Sequence, residues 1–151
     1  MKPLIVLITT FLMSLLYFMV TGDAYKIQLS GRIAMAAMLL FTSVGHFKFL
    51  KGMTLMIPDF IPRRKEIVYA TGVLEIAFAI CLLIEDIQET VAWILIIFFI
   101  LLIPANINAA IRRLNYETGM YDGEGIYYLW FRIPLQVLFI AWVYYSSILT
   151  Y

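Results

Sequence analysis

Charge is what this chain has least of. Of its 151 residues, 14% are charged and 64% are hydrophobic, whereas a soluble domain is about a quarter charged and about half apolar. That excludes an ordinary soluble domain and points to an integral membrane protein. The formal net charge is +1, so no basic surface is available for phosphates and nucleic acid is not an expected partner. Cysteine and histidine are almost absent, with only Cys81 and His46. One cysteine makes neither an internal disulfide nor a CxxC redox pair. One histidine, without cysteines or carboxylates at ligand spacing, makes no metal or haem site. No internal repeat or low-complexity tract is present.

What the chain does have is hydrophobic runs: Leu4–Val20, Ile33–Leu50, Ile67–Ile84, Val91–Ile111 and about Leu129–Leu149. Each is near the ~20 residues that cross a hydrocarbon core of ~30 Å. Helices are expected, because backbone groups in lipid must be satisfied within their own segment. The expected fold class is all-α: a four-helix membrane domain over 31–151, preceded by one transmembrane helix and an outer loop over 1–30, five spans in total. Lys2 before the first run also fits a secretory signal. However, the run is long for a signal core, and Gly22 and Ala24 offer only a weak cleavage site, so a retained helix is favoured. Trp142, Tyr144, Tyr145 and Tyr151 suit an aromatic belt.

Five spans put the N-terminus and the loops Lys51–Glu66 and Arg112–Tyr128 on one side. Lys2, Lys48, Lys51, Arg63, Arg64, Lys65, Arg112, Arg113 and Arg132 lie there, against only Lys26 and Arg32 on the other side. The positive-inside rule then predicts a cytoplasmic N-terminus and an outer C-terminus.

Inside the runs stand residues that are costly in lipid: Gly45 and His46, then Glu75, then Pro104, Asn106 and Asn108, then Arg132 and Gln136. A charge at the bilayer centre costs at least ~2.5–3.5 kcal/mol, so such groups face the bundle interior, a polar cavity or one another. At ~1.5 Å per residue, all five candidates, His46, Glu75, Asn106, Arg132 and Gln136, fall in the half nearer the basic loops. Gly72, Glu75 and Ala79 share a helix face, as do Arg132 and Gln136. Asn106 and Asn108 are about 200° apart, so Asn106 is expected inward and Asn108 at the interface, beside Arg112. Pro104 predicts a kink that frees a carbonyl near Ile100. Pro134 is expected in the first turn of its helix, and Cys81 as a small apolar core residue. The stretch "KGMTLMIPDFIPRRKE" reads as an interfacial segment, its two prolines excluding one continuous helix. The Gly-rich, acidic "NYETGMYDGEGIYY" reads as a flexible loop. Either stretch could cover the cavity.

The ordered set "GHF", "MIPDFIP", "VYATGVLEI", "IPANI" and "WFRIPLQ…IAWVYY" resembles the DoxX-like integral membrane proteins, the DoxX family, over about Arg32 to Tyr145. The pattern falls on Gly45, His46, Pro58, Pro62, Tyr69, Gly72, Glu75, Pro104, Ala105, Asn106, Trp130, Arg132, Pro134 and Gln136. The resemblance implies a compact four-helix core in a bacterial inner membrane and a setting near quinone-linked redox enzymes. The first helix departs from the four-helix pattern, and the missing cysteine pair argues against thiol–disulfide chemistry.

These residues lead to one expectation: a cytoplasm-facing intramembrane pocket that binds a small amphipathic ligand, with quinone the candidate cofactor. The chain would be an accessory subunit rather than a stand-alone enzyme; if it is catalytic, it is a subunit of a quinone-linked oxidoreductase. Arg132 would neutralise Glu75 or polarise the ligand, Asn106 and Gln136 would orient it, and His46 would exchange the proton. Beyond the lipid bilayer, a membrane redox partner or a second copy of the chain are the expected partners. Two other classes stay open: a small proton-coupled transporter working through Glu75, and a structural or assembly protein in which the polar cluster is internal glue.

Overall fold

The computed structural model describes residues 2–22 and 26–149. Ala24 and Tyr151, named above for the cleavage site and the aromatic belt, lie outside them. The chain forms α1 (Lys2–Val20), α2 (Ile27–Lys48), α3 (Leu50–Met56), α4 (Arg64–Cys81), α5 (Gln88–Leu101), α6 (Ile103–Ile111) and α7 (Ile126–Val143), and α7 runs into a π-helical turn at Tyr144–Ile148. No strand forms among the described residues; the nearest to one is an isolated bridge between Asn115 and Met120.

Among the described residues, four stretches are helices long and apolar enough to cross a membrane: Lys2–Val20, Ile27–Lys48, Gln88–Ile111 and Ile126–Ile148. This is consistent with a multi-pass membrane protein. The third of the five expected runs becomes α4, which carries Arg64, Lys65 and Glu66 in its first turn and Glu75 midway; those charges leave it out of the four.

The fourth run is one helix broken at Leu102. Pro104 has no N–H, so the Ile100 carbonyl loses its donor four residues on. The Leu102 N–H instead reaches the carbonyls of Phe98 and Phe99 at 3.2 and 3.3 Å. The helix is thus interrupted two residues before the proline, where a kink is expected. Pro134, expected at a helix start, is interior to α7, because the helix begins at Ile126 rather than at the onset of the apolar run. The loop after α2 contains the short α3, which stops at Ile57 just before Pro58.

α2 is central, with α1 along one side and α4 along another. The apolar core is built from Met35, Met38 and Leu39 of α2 with Phe78, Leu95 and Phe139 from α4, α5 and α7. α1 is peripheral: Leu7 is its buried residue, and Ser14 donates to Ser30 of α2 at 3.2 Å. In lipid, helices gain little from apolar burial itself, so close approach at small residues supplies the packing energy. Gly31 and Gly72 are the clearest cases. A Cβ at residue 31 would stand 2.7 Å from Ser146 Cβ, and one at residue 72 would stand 2.8 Å from His46 Cβ.

Polar contacts gather three segments at one end. Lys2 pairs with Glu117 at 3.0 Å. Asp59 accepts from Arg64 and from Arg112, and Asn108 Nδ2 donates to the Met56 carbonyl at 2.7 Å. The Asn108 side chain thus meets the last residue of α3 rather than Arg112. The hydrogen bond from Arg112 holds the Asp59 carboxyl below its usual range against the opposing effect of burial, with Arg64 adding to it.

Candidate functional site

The five sequence candidates fall into two groups on different helix pairs. The first is His46 on α2 with Glu75 on α4. Gly72, Glu75 and Ala79 are all buried along α4, and the missing side chain at Gly72 lets α4 close on α2 at His46. One turn on, Glu75 Oε1 lies 3.3 Å from His46 Nε2, with side-chain exposures of 5% and 12%. On the other side of the ring, Thr71 Oγ1 is 3.1 Å from His46 Nδ1 and 2.9 Å from the Val68 carbonyl.

This arrangement gives His46 Nδ1 a partner whether or not that nitrogen carries a hydrogen. When the Thr71 hydroxyl points to the Val68 carbonyl, it accepts from Nδ1–H, and a ring that also donates from Nε2 is the cation facing a carboxylate. When the hydroxyl turns to donate to Nδ1, the ring is neutral and still donates to Glu75. The two states differ by the Nδ1 proton, and the hydroxyl rotates to suit whichever is present. The other carboxylate oxygen, Glu75 Oε2, is buried with no hydrogen-bond partner. An acceptor in that state carries a desolvation cost of about 1–3 kcal/mol or more.

The second group joins α6 and α7. Tyr128 Oη donates to Asn106 Oδ1 at 3.2 Å. Asn106 Nδ2 donates to Gln136 Oε1 at 3.2 Å, and Gln136 Nε2 donates to the Phe99 carbonyl at 2.6 Å. That carbonyl sits at the α5–α6 break, so Gln136 bridges the interruption that Pro104 creates. Asn106 and Gln136 are both buried, and each has its amide nitrogen and its oxygen engaged within the chain.

Arg132 stands beside this group but pairs with neither Glu75 nor another carboxylate among the described residues. Its guanidinium lies over the rings of Tyr128 and Tyr116, 5.2 and 5.5 Å from their centroids, where cation–π attraction replaces the expected ion pair. A groove of about 810 Å³ opens between the end of α6 and the start of α7, lined by Arg113, Glu124, Ile126 and Tyr127 among others. None of the five candidates lines it.

Sequence reasoning missed two polar residues, one in the first group and one at the other end of the bundle. Thr71 gives no sequence signal beyond being one helical turn before Glu75. Arg32 was placed in the outer loop, but α2 begins at Ile27 and carries Arg32 into the helix at 6% exposure. The small pair Ser30–Gly31, which lets α1 and the π-helical turn close on α2, was the available clue. No group of three or more metal-ligating side chains occurs among the described residues.

The fold is that of an all-helical protein, with four helices among the described residues long and apolar enough to cross a membrane. The chain belongs to the family described as "Domain of unknown function (DUF8561)", whose model matches residues 35–147. All five candidates lie inside that stretch, while α1 and Arg32 lie outside it. No curated protein and no solved structure gives a significant match.

Proposed function

We propose that the protein is a five-span, DoxX-like protein of the bacterial inner membrane that binds a small amphipathic ligand, a quinone or quinol, as an accessory to redox machinery. The observation that carries this reading is the open acceptor at Glu75 Oε2 beside a histidine that can take or give a proton. A quinol hydroxyl donates to such an oxygen, and His46 Nε2, beside the other carboxylate oxygen, holds the carboxylate in place. α4 is the fifth span: its charged first turn lies at the end with the basic loops, and the rest of the helix is apolar apart from Glu75. The clustering of Lys2, Arg64 and Arg112 at that end supports a cytoplasmic N-terminus and an outer C-terminus.

The test is a quantitative quinone analysis of gently purified protein. The expected result is quinone enriched over the surrounding membrane in the wild type and lost in Glu75→Met. Quinone at the bulk membrane ratio in both would end the proposal. A structural role is the second reading, favoured by the Tyr128–Asn106–Gln136–Phe99 chain, in which the amides are paired within the protein.

A further inference from the structure

The end of the bundle away from the basic loops holds a charged group with no role so far. Arg32, in the second turn of α2, is 6% exposed. Its Nε and Nη1 are buried without a hydrogen-bond partner among the described residues. A guanidinium carries five donors and keeps its proton, so packing alone leaves it unsatisfied. Glu85 acts on it electrostatically, but Glu85 is exposed in the loop between α4 and α5, and no ion pair joins the two among the described residues.

Two further observations describe what would satisfy it. Gln88, at the start of α5, has a buried Oε1 with no donor, and the loop before it and its first turn present Glu85, Asp86 and Glu89 with no basic residue between them. This end therefore combines unmet donors on Arg32 with an unmet acceptor and a negative rim. Its depth is marked by aromatics. Trp142 Nε1 donates to the carbonyl of Gly31, next to Arg32, at 3.0 Å, and Trp93 meets Tyr144 edge-on at 6.2 Å. Trp93 and Tyr144 are exposed while Trp142 is half-buried, and exposed Trp and Tyr sit at the headgroup level of a bilayer. At the same level, α7 widens into the π-helical turn, a distortion often found at functional sites.

We infer that Arg32 anchors the phosphate of a zwitterionic phospholipid headgroup, phosphatidylethanolamine in kind, whose ammonium is met by Gln88 and the acidic loop. An anionic lipid supplies the phosphate but meets repulsion from Glu85, Asp86 and Glu89. A phosphocholine supplies the positive charge but no N–H donor for Gln88. The inference shares the membrane-spanning reading with the proposed function but is independent of the His46–Glu75 site.

Native mass spectrometry of the full chain, titrated with phosphatidylethanolamine, phosphatidylcholine or phosphatidylglycerol, tests it. The wild type should retain phosphatidylethanolamine about tenfold more tightly than Arg32→Gln does, the order of one charge-assisted hydrogen bond. It should also prefer phosphatidylethanolamine over the other two lipids. Glu85→Gln combined with Glu89→Gln should narrow the gap to phosphatidylglycerol. Equal retention by wild type and Arg32→Gln, or no preference among headgroups, overturns the inference. Competition by inorganic phosphate alone overturns the lipid as the source. If Arg32→Gln does not fold, the wild type still decides. Phosphatidylethanolamine should raise its melting temperature where a diacylglycerol with the same chains does not, and equal effects would refute the site. Quinone content should be the same in wild type and Arg32→Gln, which keeps failure here separate from failure of the proposed function.

Discussion

Gly72 is packed against His46: a Cβ on residue 72 would stand 2.8 Å from the histidine Cβ. The bare backbone at that point lets Glu75 reach the imidazole at 3.3 Å. Gly72→Ala forces the helices apart, an overpacking cost of about 1–3 kcal/mol. A lower melting temperature in detergent is expected, with a shifted ¹⁵N resonance of His46 as the contact to Glu75 lengthens. An unchanged resonance would mean that the glycine does not set this contact.

Gln136 should matter to stability more than its neighbours. Replacing it with Leu leaves the buried Asn106 amide nitrogen unpaired, at about 1–3 kcal/mol, and takes from the Phe99 carbonyl the shorter of its two hydrogen bonds, the other being the Leu102 N–H at 3.3 Å. Tyr128→Phe leaves only Asn106 Oδ1 without its donor and should cost about 1 kcal/mol. Melting curves of the two variants should rank in that order. Equal melting would show that the α5–α6 break does not depend on the Gln136 bridge.

Asp59 ties the segment after α3 to the end of α6 through Arg112 and to α4 through Arg64. Its carboxyl is held below the ordinary value of 3.8, first by the hydrogen bond from Arg112. A depressed carboxylate adds stability that is complete above the unfolded value and is lost as pH falls through the folded one. The tie should therefore hold at neutral pH and release below 3.8. Limited proteolysis between α3 and α4 should increase on acidification in the wild type. In Asp59→Asn, cleavage should already be raised at neutral pH and should change little with acid.

Much of this was legible from periodicity. The apolar runs become helices, and the small face of Gly72, Glu75 and Ala79 is buried as its spacing predicts. The 200° separation of Asn106 and Asn108 also holds: Asn106 is buried in the α6–α7 chain, while Asn108 reaches the Met56 carbonyl. What periodicity does not carry is which helices are neighbours. It put Glu75 and Arg132 in the same half of the membrane and so made them partners, whereas α4 packs chiefly on α2 and Glu75 meets His46. Arg132 is satisfied by two aromatic faces instead, one of them Tyr116 from a loop with no helical register. Arg32 was misplaced for a different reason: its helix starts in a polar stretch, where a hydrophobic run gives no boundary.

The central claim is that Glu75 Oε2 is an open acceptor for a ligand hydroxyl or, when the carboxyl is protonated, a donor to a ligand carbonyl. Titration of a short-chain quinone into nanodisc-embedded protein, read by isothermal calorimetry, tests it most directly. Binding should weaken about tenfold in Glu75→Met, the order of one charge-assisted hydrogen bond, and stay unchanged in Asn108→Ala, whose side chain lies at the α3–α6 contact. Equal binding by wild type and Glu75→Met, or none by either, would contradict the account.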